Sequence, residues 1–260
     1  MTYRPEGSCA GRTVALAPAT CGELKACMPK VRKPAPAADD FFRLLRDEGV
    51  TMLDFNHCHN AEQMQALADS PFRTLRRESS RHPVIDVRRN GGGNAIVGDV
   101  PLRDVVKEPF RQMDKALMRI SPTTQRLLRD WSMATGWYFT ENNAPDRFTR
   151  PLTAEEGHYG GDARLLTSQR TSSAAASFAW VLKTFGGGRG VGEETGGMGV
   201  SSGDFRVYRL PGADLACAIS YKRFRLPGAD GTDVHGALPD VAVPQEEALD
   251  AALDLTRPRK

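Results

Sequence analysis

The sequence lacks the features that define several large protein classes. No apolar run approaches the roughly 20 residues of a membrane-spanning helix, and the longest apolar stretch, residues 174–182, contains Ser177. The N-terminus carries early charged residues and no long apolar segment, so it does not resemble a signal peptide. The five cysteines include no C-x-x-C pair, which argues against a disulfide scaffold and a zinc knuckle.

A large surplus of one charge and the common phosphate-binding motifs are also missing. The 35 Lys and Arg against 32 Asp and Glu leave a formal net charge of +3, and a nucleic-acid binder needs a clustered basic surplus, so we expect no nucleic-acid partner. Eight glycines fall within residues 186–199, but neither G-x-x-x-x-G-K-[ST] nor G-x-G-x-x-G follows a strand. These absences argue against a nucleotide-binding protein.

The overall composition is that of an ordinary globular protein, and the local composition changes near residue 38. Hydrophobic residues make up 40% of the chain and charged residues 26%, which suits a soluble protein with a core. Residues 1–37 are rich in Pro, Ala, Gly and Lys. We predict an N-terminal segment and linker there, with a short strand at 14–17, and a folded core over 38–260.

Strand and helix patterns alternate through this core. The apolar residues of 41–45 recur at helical spacing behind Asp39 and Asp40, which predicts a helix. Asn60, with Gln63 three residues later, is typical of a helix cap. Further helices are predicted from 121–122, over 174–183 and over 245–255, and strands at 50–56, 83–87, 163–167, 205–210 and 215–221. This order indicates an α/β domain with some antiparallel sheet.

The serine cluster at 171–174 is the segment most informative about chemistry. A strand, a sharp turn bearing serine and then a helix place a hydroxyl at a helix N-terminus, where unpaired N–H groups favour developing negative charge. A glycine turn at 90–94 follows another predicted strand and would supply the opposing N–H groups of an oxyanion hole. The alternative is that Ser172 and Ser173 only cap the helix.

Four blocks of the sequence together resemble the C-terminal processing, or tail-specific, protease family. VIDVRRNGGGN (84–94) resembles its strand and glycine turn, residues 164–183 its serine segment, VGEETGG (191–197) its next strand and turn, and HGALPDVAVP (235–244) its closing motif. The blocks occur in the family's order and look closest to a bacterial branch reading S-S-A-x-x-F-A and G-E-E-T-G-G. The resemblance implies a crotonase-like (ClpP-like) α/β core with a mixed sheet and flanking helices.

The resemblance also implies an activity and a site. It implies a serine peptidase that cleaves polypeptides in unstructured or C-terminal segments and needs no cofactor. The nucleophile position falls on Ser173, and the oxyanion-hole positions fall on the backbone N–H of Ala174 and of Gly91 or Gly92. Two further residues match positions that shape the glycine turn rather than react, namely Arg88 and Asn90.

The family's usual general base is not present in this chain. Where the best-known branch has its lysine, about 25 residues beyond the serine, this sequence has Met198, and the earlier lysine of that motif is Glu194. A thioether cannot accept the serine proton, so a Ser-Lys dyad is excluded at that position. The nearest other lysines, Lys183 and Lys222, do not match the motif.

Histidines are the remaining candidates for the base. Tricorn-like relatives pair the serine with a histidine from the first core strand, and here His57 and His59 follow that strand. Histidine has the pKa range that activates a serine at neutral pH, and His57 is preferred because it lies nearer the strand. His235 is the second candidate, with Asp233 or Glu194 as orienting acids. The alternative is that His57 and His59 are turn residues beside the following helix.

The same histidines raise the question of a metal. His57 and His59 would share one face of an extended segment and could reach a cation together, near Asp54 and Cys58. No third and fourth ligand stands at a useful spacing, so no metal site is predicted.

Several properties stay open at this stage. The missing lysine favours a rival interpretation, in which the chain is a catalytically decayed module that binds peptides or hydrophobic ligands. Relatives are usually exported and carry further N-terminal sequence, so residues 1–37 would be the remnant of a longer region. The location and the oligomeric state are therefore left open.

Overall fold

The computed structural model describes residues 2–3, 12–13, 42–47, 50–68, 83–129, 132–139, 148–210, 212, 215–232 and 234–255. The chain divides into two compact units, one formed by Met1–Ala35 with Val207–Ile219 and the other by Pro36–Arg206 with Ser220–Lys260. The predicted strand at 14–17 and the predicted linker lie outside the described residues, so the division at residues 37 and 38 stays a prediction.

Twelve strands and five helices are described in the chain. The strands are β1 (Thr2–Tyr3), β2 (Arg12–Thr13), β3 (Phe42–Asp47), β4 (Val50–Phe55), β5 (Val84–Asp86), β6 (Lys115–Ile120), β7 (Gly136–Phe139), β8 (Ala163–Thr167), β9 (Gly188–Gly192), β10 (Val200–Arg209), β11 (Ala216–Arg225) and β12 (Val241–Ala242). The helices are α1 (Ala61–Ala68), α2 (Ile96–Val105), α3 (Pro122–Leu128), α4 (Ala174–Thr184) and α5 (Ala248–Asp254).

Three sheets organise these strands. The six-stranded sheet has the order β12-β9-β8-β5-β4-β3, in which β3 is antiparallel to β4 and the other neighbours are parallel. A four-stranded sheet has the order β10-β11-β6-β7, with β6 antiparallel to both β11 and β7. In the smaller unit β1 pairs with β2. The predicted α/β fold with parallel and antiparallel sheets is confirmed.

The prediction of a helix over 41–45 is wrong. The described part of that segment lies in β3, which pairs with β4 from Phe42 opposite Phe55 to Asp47 opposite Val50. Only two residues separate the two strands in the sequence, so β3 adds to the sheet as the first arm of a hairpin. Pairing with a buried neighbour therefore overrides a local helical pattern that is short and weak.

The six-stranded sheet is covered by helices on both faces. Leu53, Ile85 and Leu165 point into a large apolar cluster with α1, α2 and α4, while Val84 and Leu166 point into a smaller one with α5. A strand that is buried on both faces has a continuous apolar sequence. For this reason β4, β5 and β8 could be predicted from the sequence. No helix among the described residues is long and apolar enough to cross a membrane.

Local signals fix several of the helix starts. The Oδ1 of Asn60 accepts the N–H of Gln63 at 3.0 Å, which confirms the predicted cap of α1. Ser121 caps α3 by accepting the N–H of Thr124 at 3.1 Å. Helix α2 and strand β6 were not predicted, because Pro101 lies inside α2 and the polar residues of β6 hide its strand pattern.

Candidate active site

The candidate site lies where three parallel strands of the large sheet end. The segment after β4 contains the two histidines, the segment after β5 forms the glycine turn, and the segment after β8 leads to Ser173. The carboxyl ends of parallel strands share one edge of a sheet. Cys58 also forms a parallel bridge with Gly93, so the histidine segment lies directly against the glycine turn.

Ser173 begins α4 in an unusual backbone conformation. Its φ is +50° and its ψ is −128°, a region in which an L residue is strained by about 1–3 kcal/mol. The side chain makes no capping hydrogen bond to the helix, and the residue is exposed. Ser173 therefore occupies the N-cap position of α4 without capping it through its side chain.

Hydrogen bonds hold the serine turn against the glycine turn. The Thr171 hydroxyl donates to the carbonyl of Val87 at 2.8 Å, and the Ser168 hydroxyl donates to the carbonyl of Arg88 at 2.7 Å. The Ser172 N–H donates to the carbonyl of Asn90 at 3.1 Å. The two turns are thereby fixed as one unit, which keeps Ser173 in its strained conformation.

Asn90 organises the glycine turn from inside. Its side chain is fully buried, its Nδ2 donates to the carbonyl of Phe55 at 2.9 Å, and its Oδ1 accepts the N–H of Gly92 at 2.9 Å. Gly92 itself has φ +100°, and a Cβ there would lie 2.6 Å from the Cβ of Ser173 and 2.9 Å from the nitrogen of Ala174. Only glycine allows this approach of the turn to Ser173.

The backbone N–H groups near Ser173 differ in whether they already have an acceptor. The N–H of Ala174 lies at the helix start beside Gly92, and no carbonyl among the described residues accepts it. The N–H of Gly92 is occupied by Asn90, whereas the N–H of Gly91 has no acceptor in the described part of the chain. Of the two glycines predicted for the oxyanion hole, Gly91 is the one with an available donor.

A second glycine segment packs on the other side of the serine turn. A Cβ on Gly197 would lie 2.5 Å from the Cβ of Ala176 and 3.0 Å from the nitrogen of Ser173. The Gly197 N–H donates to the carbonyl of Thr171 at 3.2 Å. The glycines of 186–199 thus include one that permits close packing beneath Ser173, rather than a phosphate cradle.

His57 and His59 lie together beside the glycine turn. Their ring centroids are 4.8 Å apart with an angle of 48° between the planes, and Cys58 between them is fully buried. A Cβ on Gly93 would lie 3.0 Å from Cε1 of His59. Burial, with a smaller effect of the charge on His59, lowers the pKa of His57 below the ordinary value of 6.5.

His235 and Glu194 are brought together from distant parts of the sequence. Nδ1 of His235 lies 3.5 Å from Oε1 of Glu194, and that oxygen also accepts the N–H of Gly236 at 2.8 Å. Gly236 forms an antiparallel bridge with Met198. The structure therefore pairs this predicted histidine with one of its two predicted acids, while the other, Asp233, lies outside the described residues.

The structure does not connect any of these histidines to the nucleophile position directly. Among the described residues no side chain is hydrogen-bonded to the hydroxyl of Ser173. The two lysines nearest in sequence are engaged elsewhere, since Lys183 Nζ donates to the carbonyl of Leu238 and Lys222 lies 2.6 Å from Asp204. Catalytic hydrogen bonds often form only once substrate is bound.

Two buried carboxylates at the ends of β4 and β5 form ion pairs that were not predicted from the sequence. Asp86 is bound by Arg88 through Nε at 3.0 Å and Nη2 at 2.6 Å, which raises the pKa of Arg88. Asp54 accepts two hydrogen bonds from Nη2 of Arg89, at 3.2 and 2.9 Å. Aspartates at the ends of two strands and the adjacent pair of arginines were the available signal. The two aspartates are buried, and their arginine partners belong to the segment that enters the glycine turn.

The described residues form no metal centre with three or more protein ligands. They contain no group of three or more His, Cys, Asp and Glu side chains placed to hold an ion. The carboxylates at the ends of β4 and β5, Asp54 and Asp86, are paired with arginines.

Comparisons with known proteins identify one matching protein family and several similar solved structures. A family model described as "Peptidase family S41" matches residues 50–243. Similar solved structures include a CPAF mutant (12% identity, 83% of this chain and 51% of that one, TM-score 0.57) and mature CPAF complexed with lactacystin (12%, 98% and 66%, TM-score 0.52). Another is a photosystem II D1 C-terminal processing protease (20%, 76% and 43%, TM-score 0.46). The chain thus spans about half the length of several of these structures.

Proposed function

The chain belongs to peptidase family S41, the C-terminal processing protease family, and we propose that it is itself an active serine peptidase with Ser173 as nucleophile. The observation that carries the proposal is the backbone of Ser173, with φ +50° and ψ −128° at the start of α4. A strained serine on a sharp turn before a helix, with its hydroxyl exposed, is the arrangement that presents a nucleophile to substrate.

The proposed reaction uses only groups of the protein. The Oγ of Ser173 attacks the carbonyl carbon of a peptide bond, and its proton passes to an imidazole. The N–H groups of Ala174 and Gly91 hold the resulting oxyanion. The intermediate then expels the amine, which takes the proton from the imidazole, and water hydrolyses the acyl-enzyme by the reverse sequence. No cofactor takes part.

We assign the general base to a histidine. His57 is the first candidate, because it follows β4, the strand from which tricorn-like relatives draw their histidine, and a lowered pKa keeps its imidazole neutral near pH 7. His59 and the pair of His235 with Glu194 are the alternatives. A lysine base is not part of the proposal, since Met198 occupies the position of the family lysine. The proposal therefore assigns the chain to a branch of the family without that lysine.

The proposed substrates are unstructured or C-terminal segments of proteins. Ser173 is exposed at the carboxyl ends of the parallel strands, where an extended peptide can reach it, and pairing of the peptide backbone with the protein would supply affinity. The crotonase-like arrangement of the core, which the resemblance implies, is part of the same proposal.

A serine-specific probe tests the nucleophile directly. We expect Ser173→Ala to abolish both hydrolysis of an unfolded protein substrate and labelling by a fluorophosphonate. Ser172→Ala is the matched control, because Ser172 is the adjacent hydroxyl and donates to the carbonyl of Gly91 at 3.2 Å. Labelling that survives Ser173→Ala, or that is lost only with Ser172→Ala, would refute the assignment.

The second candidate function is a binding module on the same fold. It is favoured by one observation, that the described residues offer the Ser173 hydroxyl no hydrogen-bonded base. If this function is correct, a fluorescent peptide binds wild type and Ser173→Ala equally well, and neither protein hydrolyses it. Loss of turnover in a folded His57→Ala protein would eliminate this candidate.

A further inference from the structure

The two histidines beside the glycine turn form a pair with a defined separation. Cys58 between them points into the core, where its Sγ lies 3.8 Å from Oδ1 of Asn90. Successive side chains of an extended segment alternate in direction, so His57 and His59 share the opposite face. Their ring centroids are 4.8 Å apart. This face is accessible, since His59 is exposed and His57 is half-buried.

The separation of the rings matches two imidazoles on one metal ion. An imidazole nitrogen binds Zn²⁺ at about 2.0–2.1 Å, which puts the ion roughly 3.2 Å from the ring centroid. For ligand angles between about 90° (octahedral) and about 109° (tetrahedral), the two centroids are then roughly 4.5–5.2 Å apart. The observed 4.8 Å lies within this range. The 48° between the planes also departs from the parallel arrangement of stacked rings.

We propose that His57 and His59 bind a divalent transition-metal ion such as Zn²⁺, with water in its remaining positions. Imidazole is a preferred ligand of Zn²⁺, Cu²⁺ and Ni²⁺. The described residues add no third protein ligand, so the ion is held reversibly rather than as a structural centre. Asp54 does not take part, because its carboxylate is bound to Arg89.

The site has a consequence that rests on the proposed function. An imidazole whose nitrogen holds a metal cannot accept the proton of Ser173. If His57 or His59 is the general base, the bound ion therefore inhibits the peptidase, and its removal restores activity. The ion would regulate the chain without being part of the reaction.

Calorimetric titration of the full chain with ZnCl₂ tests the binding itself. We expect one ion per wild-type chain, and about a hundredfold weaker binding in His57→Ala and in His59→Ala, since each removes one of two linked ligands. His235→Ala is the matched control, because His235 and Glu194 form a second close pair of ligand-type side chains, away from His57 and His59 in the sequence. It is expected to bind Zn²⁺ as wild type does.

The outcomes separate the metal site from the proposed function. No binding by wild type, undiminished binding by His59→Ala, or loss of binding in His235→Ala would overturn the metal site and leave the peptidase proposal untouched. If His57→Ala fails to fold, judged by circular dichroism, His59→Ala still decides, because His59 is exposed. Binding without inhibition of hydrolysis would uphold the metal site and move the general base to another residue.

Discussion

Substitution of Gly92 by alanine is the sharpest test of how the glycine turn and Ser173 fit together. The new Cβ would lie 2.6 Å from the Cβ of Ser173, 2.8 Å from the carbonyl oxygen of Ser172 and 2.9 Å from the nitrogen of Ala174. Two of these atoms belong to the backbone and the third is anchored to it. They cannot rotate aside, so the turn itself has to move away from the serine.

Two separate effects determine how far Gly92→Ala lowers the free energy of unfolding. An L residue at the φ of +100° found at Gly92 is strained by about 1–3 kcal/mol. Overpacking of a closely fitted site destabilises by about 1–3 kcal/mol more. We therefore expect Gly92→Ala to lower the free energy of unfolding by about 2–6 kcal/mol. At about 2–4 °C per kcal/mol for a chain of this size, the Tm falls by at least several degrees.

The adjacent glycine provides the control. A Cβ on Gly91 meets no atom within 4 Å, and Gly91 has no positive φ. Gly91→Ala should leave the free energy of unfolding unchanged or raise it by up to about 1 kcal/mol. Both proteins are compared by urea unfolding and by the rate of fluorophosphonate labelling, which should fall in Gly92→Ala. Equal stability of the two variants would refute the packing described for Gly92 and Ser173.

Two further predictions concern the residues around this turn. Asn90→Ala leaves the N–H of Gly92 and the carbonyl of Phe55 without their buried partner, so urea unfolding should show a loss of about 2–4 kcal/mol, and a change within experimental error would contradict the role of Asn90. If His57 is the base, the acid limb of kcat/KM against pH has its midpoint below 6.5, because burial and the charge on His59 lower the pKa of His57. Removing that charge in His59→Ala should move the limb to higher pH, and an unmoved limb would mean that another group sets it.

The parts of the fold that sequence reasoning predicted are those with strong local signals. Strands β4, β5 and β8 are apolar because both sheet faces are covered, and α4 is apolar almost throughout. Strand β3 was predicted as a helix because its side-chain pattern is ambiguous, and only pairing with β4 settles it. Strands β10 and β11 are ten residues each, longer than predicted, since mostly polar residues extend them.

The candidate site divides in the same way. The approach of the serine and glycine turns was expected, because the resemblance assigns oxyanion-hole positions to both turns. Two features could not be predicted from the sequence, the backbone angles of Ser173 and the hydrogen bond from the Gly92 N–H to Asn90. Both depend on how the serine turn, the glycine turn and the segment after β4 pack together. The meeting of His235 with Glu194 was one of two alternatives in the sequence, and only the bridge between Met198 and Gly236 selects it.

The strained backbone of Ser173 also bears on the history of the chain. Glycine adopts positive φ without strain, so Ser173→Gly would relax the turn and gain stability while removing the hydroxyl. Under selection for stability alone, drift would favour that exchange. If Ser173 is the nucleophile, as proposed, stability at this position is traded against reactivity.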